Sequence, residues 1–389
     1  MDERMMADEL AAAAKRGQFL DVVRSYADFD CDAFLQGVQP ADVERVLAKP
    51  VLNREDYLTL LSPCAAQYLE PMAQRAHRES VRNFGYVMQL FTPMYIANYC
   101  ENGCVYCGFH QGEKIVRRQL DMEEIRAWGR HIKETTGLES VLVLTGESPK
   151  FSSPEYIREA VAVLRDIFAS VSLEVYSLTE SDYRQMVEAG ADGMTMFQEC
   201  YDEEAYAPLH PFGPKSNYAF RLDAPERAAR AGMRTIGLGA LLGLTNWRRE
   251  AFFTGIHADY LQHKYKDIEV AISTPRLRPC VAGFQARSPI DDTGLVQYIL
   301  AFRLFMPRAG ITVSTRESRE MRNHLVYLGV TKMSGSSSTA VGGLEAEKDE
   351  ESQFDINDTR TAAEMAQMLY DEGYQPVYQD WQPLTRAMP

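Results

Sequence analysis

Residues 98–109 read NYCENGCVYCGF and place Cys100, Cys104 and Cys107 within eight positions. The stretch directly follows an apolar, β-rich run at 87–96, so it is predicted to be the loop after a strand. The four remaining cysteines stand singly along the chain, at Cys31, Cys64, Cys200 and Cys280. An odd number of cysteines argues against a disulfide framework, which leaves metal binding or redox chemistry for the three clustered thiols.

Short apolar runs of strand composition recur from this loop towards residue 333, and stretches with helical periodicity separate them. Eight such runs are predicted as strands, near 87–96, 141–144, 173–176, 194–197, 235–238, 269–273, 311–314 and 326–333. Glycines at 137, 190 and 232 mark helix ends, and prolines at 154 and 225 mark helix starts. Eight alternating units with right-handed crossovers favour a (βα)8 TIM-type barrel over the alternative of an open doubly wound sheet.

Three regions are predicted along the chain. Residues 1–84 form a helical N-terminal extension, 85–334 form the barrel, and 335–389 form a C-terminal loop and a helix, at 361–372, that packs on the barrel. The acidic run at 345–358 is interpreted as a solvated loop, with docking of a partner as a second interpretation.

Composition excludes several classes of function. The formal charge is 41 minus 55, or -14, and no basic stripe offsets it, which argues against binding to nucleic acid. No apolar run approaches the ~20 residues that a membrane span requires. The N-terminal MDERMMADEL has no apolar signal core, so we expect a soluble, cytoplasmic protein.

Three thiolates in one tight loop suit a 4Fe-4S cluster that keeps one iron open for chemistry. The loop is predicted at the carboxyl end of a barrel strand, where barrel enzymes place their active sites. Two alternatives remain at this point: a structural zinc site completed by His110, and a thioredoxin-type redox pair of Cys104 and Cys107.

The spacing C-x3-C-x-aromatic-C, with Tyr106 as the aromatic residue, resembles the signature of the radical S-adenosylmethionine (SAM) enzymes. The resemblance implies one 4Fe-4S cluster on the three cysteines, with SAM bound to its open iron as the source of a 5'-deoxyadenosyl radical. Gly146 and Glu147 in LTGE resemble the element that meets the SAM amino group. Glu174 falls where the family often contacts the ribose, and the glycine-containing stretch at 236–244 resembles the strand near the adenine.

Longer matches resemble the radical SAM tyrosine lyases, in particular the 2-iminoacetate synthases of thiamine biosynthesis. They include TMFQECYDEEAY, RAARAGMRTIGLGALLGL, STPRLRPC, ITVSTRES and GYQPVYQDW. The resemblance implies cleavage of the Cα–Cβ bond of L-tyrosine to 2-iminoacetate (dehydroglycine) and p-cresol. It also assigns Arg316 and Ser314 to the substrate carboxylate, and Gln198 and Glu199 to SAM or the substrate. Cys200 stands where threonine is expected in that family.

The resemblance implies two protein partners, a thiazole synthase that receives the product and a flavodoxin- or ferredoxin-like electron donor. A related tyrosine lyase of hydrogenase maturation binds a second cluster through additional C-terminal cysteines. We do not expect that second cluster, because the last cysteine is Cys280, although HPFGPK at 210–215 resembles this relative equally well. Arg276 and Arg278 are interpreted as residues that hold a loop, and His257 as a packing residue.

Two alternative functions stay open from the sequence. One is a radical SAM lyase of another amino acid, for which Arg316 would serve equally well. The other is a barrel stabilised by zinc that binds a ligand or partner without radical chemistry.

Overall fold

The computed structural model describes residues 17–343 and 353–381. Eight parallel strands follow one another around a closed barrel, with β1 paired to both β2 and β8. The strands are β1 Val87–Ala97, β2 Ser140–Thr145, β3 Ser170–Glu174, β4 Gly193–Glu199, β5 Thr235–Ala240, β6 Glu269–Ser273, β7 Gly310–Val313 and β8 Lys332–Ser334. Closure confirms the predicted barrel, and the open-sheet alternative is wrong.

Helices cover the outside of the barrel and connect its strands. They are α6 Met122–Thr136, α7 Pro154–Arg165, α8 Glu180–Ala189, α9 Glu203–Leu209, α10 Tyr218–Leu222, α11 Ala224–Arg230, α12 Trp247–Lys264, α13 Asp292–Phe305 and α14 Arg319–Leu325. The predicted helix boundaries are present. Gly137 and Gly190 end α6 and α8 with positive φ, and Ser153 caps α7 ahead of Pro154.

The predicted strand boundaries hold for most strands, but two differ. The third strand lies at Ser170–Glu174, so Tyr176 falls beyond it. The eighth strand begins only at Lys332, because the apolar residues 326–330 form turns after α14. Val326 and Val330 are buried in those turns, and an apolar run without periodicity does not distinguish a buried turn from a strand.

Five helices precede the barrel in the described part of the chain, and the first, fourth and fifth of them pack against α12 or α13. They are α1 Phe19–Ser25, α2 Cys31–Gly37, α3 Pro40–Ala48, α4 Arg54–Leu60 and α5 Leu69–Phe84. Tyr57 of α4 stacks on Phe305 with ring centroids 4.7 Å apart, and its hydroxyl donates to the carbonyl of Ala251 at 2.9 Å. Residues 1–16 of the predicted helical N-terminal extension lie outside the described residues.

The C-terminal region adds α15 Ala362–Asp371 and a ninth strand, β9 Gln375–Val377, which the sequence did not predict. β9 runs parallel to the first residues of β1, which β2 does not cover. Of the helices in the described part of the chain, none combines the length and apolarity needed to cross a membrane.

Candidate active site

The cysteine loop begins at a β-bulge. Pairing between β1 and β2 shifts register between Tyr95 and Ala97, and the chain then turns across the carboxyl end of the barrel. All three thiols are free, and Cys104 is buried. The Phe109 N–H donates to Cys107 Sγ at 3.4 Å, and the Asn102 amide lies 3.7 Å from Cys100 Sγ. Such N–H contacts to sulfur are among the features that tune iron–sulfur clusters, so the loop fits one.

A second segment, residues 209–215, holds the cysteine loop in place. Its backbone carbonyl groups accept two hydrogen bonds from the cysteine loop. Leu209 O accepts from the Val105 N–H at 3.3 Å, and Phe212 O accepts from the Gly103 N–H at 3.1 Å. The Lys215 N–H donates to the Asn102 side chain at 2.9 Å. We call residues 209–215 the clamp segment. It contains the HPFGPK sequence, and the structure shows that its contacts are with the cysteine loop.

Tyr106 is fixed by the clamp segment through a buried histidine. Burial lowers the pKa of His210 to about 3, so its imidazole is neutral. Its Nδ1 lies 2.9 Å from the Tyr206 carbonyl oxygen, which only accepts, so Nδ1 carries the hydrogen. Nε2 therefore accepts from the Tyr106 hydroxyl at 2.6 Å. The aromatic residue of the cysteine motif is thus held by its hydroxyl group as well as by packing.

The end of β2 touches the cysteine loop directly. Gly146 donates its N–H to Ala97 O at 3.0 Å, and Glu101 donates its N–H to Glu147 O at 2.8 Å. The buried Glu147 carboxylate accepts from the Asn102 amide at 2.6 Å. Gly146 and Glu147 therefore adjoin the cysteine loop.

A second bulge, in β4, turns Glu199 into the barrel. Pairing with β5 shifts register between Phe197 and Glu199, and Glu199 takes a left-handed backbone with φ of 68°. Its carboxylate accepts from Lys215 Nζ at 2.7 Å and lies 3.6 Å from the Arg221 guanidinium. Burial raises the pKa of Glu199, but the two cations outweigh burial and lower it overall. Glu199 is therefore an ionised, paired carboxylate.

One cavity of about 890 Å³ runs along the barrel interior, and its mouth brings several of these side chains together. The residues at the mouth include Tyr106, Cys107, Glu174, Glu199, Ser314 and Arg316. Burial raises the pKa of Glu174 from its ordinary 4.5 to about 8. Burial lowers the pKa of Arg316, and within the described residues its guanidinium has no ion pair. An unpaired cation in a largely enclosed cavity is a binding group for a carboxylate.

His110 is not placed as the fourth ligand of a zinc site on the three cysteines. Its Nε2 lies 3.0 Å from the Glu113 carboxylate, and its Nδ1 accepts from the Gly112 N–H at 3.1 Å. Among residues 17–343 and 353–381, no three His, Cys, Asp or Glu side chains are arranged around a single ion. A cube of four irons separates its ligand sulfurs more widely than a single ion does.

Two family models match the chain. The Radical SAM superfamily covers residues 94–254, and the Biotin and Thiamin Synthesis associated domain covers 273–375. The 2-iminoacetate synthases of Escherichia coli (strain K12) and Salmonella typhimurium (strain LT2) are each 39% identical over 348 residues, which is 89% of this chain and 92% of each relative. The chain belongs to the 2-iminoacetate synthase family.

The fold comparison agrees with this family. The crystal structure of HydG, a maturase of the [FeFe]-hydrogenase, superposes with a TM-score of 0.81 at 27% identity and covers 97% of this chain and 80% of that one. As a member of the radical SAM superfamily, the protein is an enzyme that uses a 4Fe-4S cluster and SAM.

Some residues singled out from the sequence lie away from the cavity. Gln198 is buried, does not line the cavity, and its amide has no hydrogen-bond partner in the described chain. Cys200 is buried beside Glu250, with Sγ 3.6 Å from a carboxylate oxygen. His257 stacks on Phe19 at 3.9 Å between ring centroids, as the packing interpretation predicts.

The two arginines after β6 differ from each other. Arg276 pairs with Glu317 and, at 2.7 Å, with Asp292, so it holds two loops together as predicted. Arg278 instead lines the cavity, and its buried Nε has no partner among the described residues.

The sequence did not reveal the clamp segment or the contacts of residues 353–358. Both are short segments without a helical or strand periodicity of their own, and each meets the cysteine loop only through tertiary packing. The acidic run partly lies outside the described residues, but its last part, Gln353–Asp358, packs into the barrel mouth.

Proposed function

We propose that this protein binds one 4Fe-4S cluster through Cys100, Cys104 and Cys107 and cleaves L-tyrosine to 2-iminoacetate and p-cresol, with SAM converted to 5'-deoxyadenosine and methionine. The product would serve the thiazole moiety of thiamine. Membership of the 2-iminoacetate synthase family supports this reaction. When bound, the cluster and SAM supply the radical that starts the reaction.

The chain's own residues have separate tasks in this proposal. Arg316, with Ser314 beside it, binds the tyrosine carboxylate and thereby fixes the amino group relative to SAM. Glu147, next to the closely packed Gly146, binds the amino group of SAM, and Glu174 binds its ribose. Tyr106 supports the cysteine loop through His210, and Glu199 orders the clamp segment.

The observation that carries the proposal is the position of Arg316. Its guanidinium has no ion pair among the described residues and lines the same cavity mouth as Cys107. A carboxylate there gains two charge-assisted hydrogen bonds, each worth about 1.5–3 kcal/mol. The substrate is thereby held next to the cluster ligands.

Product analysis of two matched arginine variants tests the proposal. Arg316 and Arg308 lie beyond opposite ends of β7, and both line the cavity. In anaerobic reactions with SAM, reductant and tyrosine, we expect p-cresol, 5'-deoxyadenosine and glyoxylate, which forms by hydrolysis of 2-iminoacetate. Arg316→Ala should lower p-cresol formation at least about a hundredfold, given two lost hydrogen bonds, and Arg308→Ala should retain it. Full activity of Arg316→Ala would refute the carboxylate assignment.

The partners belong to the same proposal. A thiazole synthase would accept the 2-iminoacetate, a flavodoxin- or ferredoxin-like protein would deliver electrons, and the site of action would be the cytoplasm. Iron and sulfide analysis checks the cluster number, with about four of each expected per chain for one 4Fe-4S cluster.

A further inference from the structure

Residues Gln353–Asp358, which we call the mouth strap, cross the carboxyl end of the barrel. Their backbone forms hydrogen bonds with three different loops, from Gly108 N to Gln353 O at 3.2 Å, from Asp355 N to Pro279 O at 3.0 Å and from Asn357 N to Thr315 O at 2.8 Å. These loops follow β1, β6 and β7. The mouth strap is therefore tied to the loops that carry the cysteines and Arg316.

The far end of the mouth strap is anchored in the protein interior. Asp358 is 2% exposed and accepts from Arg322 at 2.6 Å and from Arg360 at 2.6 Å. Arg322 is completely buried and also donates to the Ser334 carbonyl oxygen at the end of β8. Removing one partner from a buried ion pair is strongly destabilising, so this anchor fixes the strap.

Phe354 of the mouth strap lies against the guanidinium of Arg316. The guanidinium carbon is 3.4 Å from the centre of the Phe354 ring, which is the geometry of a cation–π contact. Stacking occupies the flat face of a guanidinium and leaves the N–H donors at its edge available. Within the described residues, the Arg316 guanidinium also donates a long hydrogen bond, 3.4 Å, to the Arg276 carbonyl oxygen.

Gln353 places the same strap beside the cysteine loop. Its side-chain oxygen accepts from the Tyr95 hydroxyl at 2.7 Å, and its amide nitrogen lies 3.8 Å from Cys107 Sγ. Two consecutive strap residues thus contact a cluster ligand and the arginine assigned to the substrate.

We propose that Phe354 is a positioning residue, whose ring holds the Arg316 guanidinium in the orientation that binds the carboxylate of the amino acid substrate. The inference rests on the proposed function and adds a residue to its substrate site. An arginine side chain that is already ordered loses less conformational entropy when it binds, so the stack increases affinity for the carboxylate. SAM, which does not depend on Arg316 in this scheme, is unaffected.

Equilibrium dialysis with labelled tyrosine and labelled SAM tests this, because binding without reductant involves no turnover. The reconstituted holoenzyme is compared with Phe354→Ala, Phe354→Tyr, Arg316→Ala and a control, Phe220→Ala. Phe220 also stacks with an arginine, Arg227, at 3.8 Å, but it does not line the barrel cavity. We expect Phe354→Ala to raise the Kd for tyrosine roughly tenfold, or about 1.4 kcal/mol. The Kd for SAM and the cluster absorbance should stay unchanged.

The conservative variant and the control complete the test. Phe354→Tyr, which keeps an aromatic ring, should bind tyrosine like the unmodified protein, and so should Phe220→Ala. The inference is overturned if Arg316→Ala weakens tyrosine binding while Phe354→Ala does not, or if Phe354→Ala weakens SAM and tyrosine equally. Unchanged tyrosine binding in Arg316→Ala would instead refute the carboxylate role in the proposed function.

Discussion

Replacing Gly146 by alanine tests how closely the end of β2 approaches the cysteine loop. A Cβ at this position would lie 2.9 Å from the Tyr99 carbonyl carbon, closer still to its oxygen, and 3.2 Å from the Asn98 carbonyl carbon. Carbon atoms in contact prefer about 3.5–4.0 Å, so the loop must move by at least about half an ångström. Both neighbours are backbone atoms just before Cys100, and no side-chain rotation relieves the clash.

We expect the methyl group to cost about 1–3 kcal/mol of unfolding free energy, as overpacking in a dense interior does. The shift also strains the hydrogen bonds from Gly146 to Ala97 and from Glu101 to Glu147, so the cysteines move relative to one another. Urea unfolding of the iron-free protein measures the first effect. Iron and sulfide per chain after anaerobic reconstitution measure the second, and both should decrease.

A matched control is Gly37→Ala, because Gly37 ends α2 and a Cβ there would have no atom within 4 Å. This variant should be neutral in both measurements. If Gly146→Ala kept the unfolding free energy, the full iron content and SAM binding, the argument that only glycine fits between β2 and the cysteine loop would be refuted.

Three further variants probe the surroundings of the site. Tyr106→Phe leaves His210 Nε2 buried without its 2.6 Å donor and should cost about 1–3 kcal/mol in urea unfolding; an unchanged midpoint would contradict the bond. Asp358→Asn leaves Arg322 without its buried anion and should cost about 3–5 kcal/mol; a loss below about 1 kcal/mol would show that the anchor is dispensable. The pKa of Glu174 in the folded protein, about 8, exceeds its ordinary value of 4.5. The folded protein therefore binds this proton more tightly than the unfolded chain does, and the free energy of unfolding should fall as pH rises from 4.5 to about 8. Glu174→Gln should remove that part of the slope in urea unfolding of the iron-free protein, and identical slopes would contradict the raised pKa.

The sequence predicted the parts of the site that lie at the carboxyl ends of barrel strands. Glu147, Glu174 and Arg316 follow or end β2, β3 and β7, and parallel strands in a barrel bring their ends to one face whatever their separation in the chain. The strand pattern therefore predicts that residues at these positions lie at one face of the barrel, whereas their roles were assigned by the resemblance. The strand pattern did not predict which groups these side chains contact, because hydrogen bonds between loops depend on side-chain geometry.

The missed elements have a common physical reason. The mouth strap reaches the cysteine loop across about 250 residues of sequence, as the pair Cys107 and Gln353 shows, and β9 pairs with β1 across a similar distance. Short segments of this kind derive their structure from tertiary contacts and have no periodicity of their own. Helix α13, at Asp292–Phe305, was not singled out either, because it is buried on nearly every side and has no polar face.

Two acidic side chains at the barrel mouth, Glu199 and Glu174, have different surroundings and therefore suit different tasks. Glu199 is neutralised by Lys215 and Arg221, and the backbone of Lys215 holds Asn102, whose amide in turn holds Glu147. This chain of contacts runs from β4 through the cysteine loop to β2, so Glu199 stabilises the frame of the site. Glu174 has no hydrogen bond or ion pair among the described residues, and burial raises its pKa even though the charge of Arg316 acts in the opposite direction. The buried carboxyl group of Glu174 and the unpaired guanidinium of Arg316 are then two groups at the mouth with unused bonding capacity, and a nucleoside and an amino acid would supply the missing partners there.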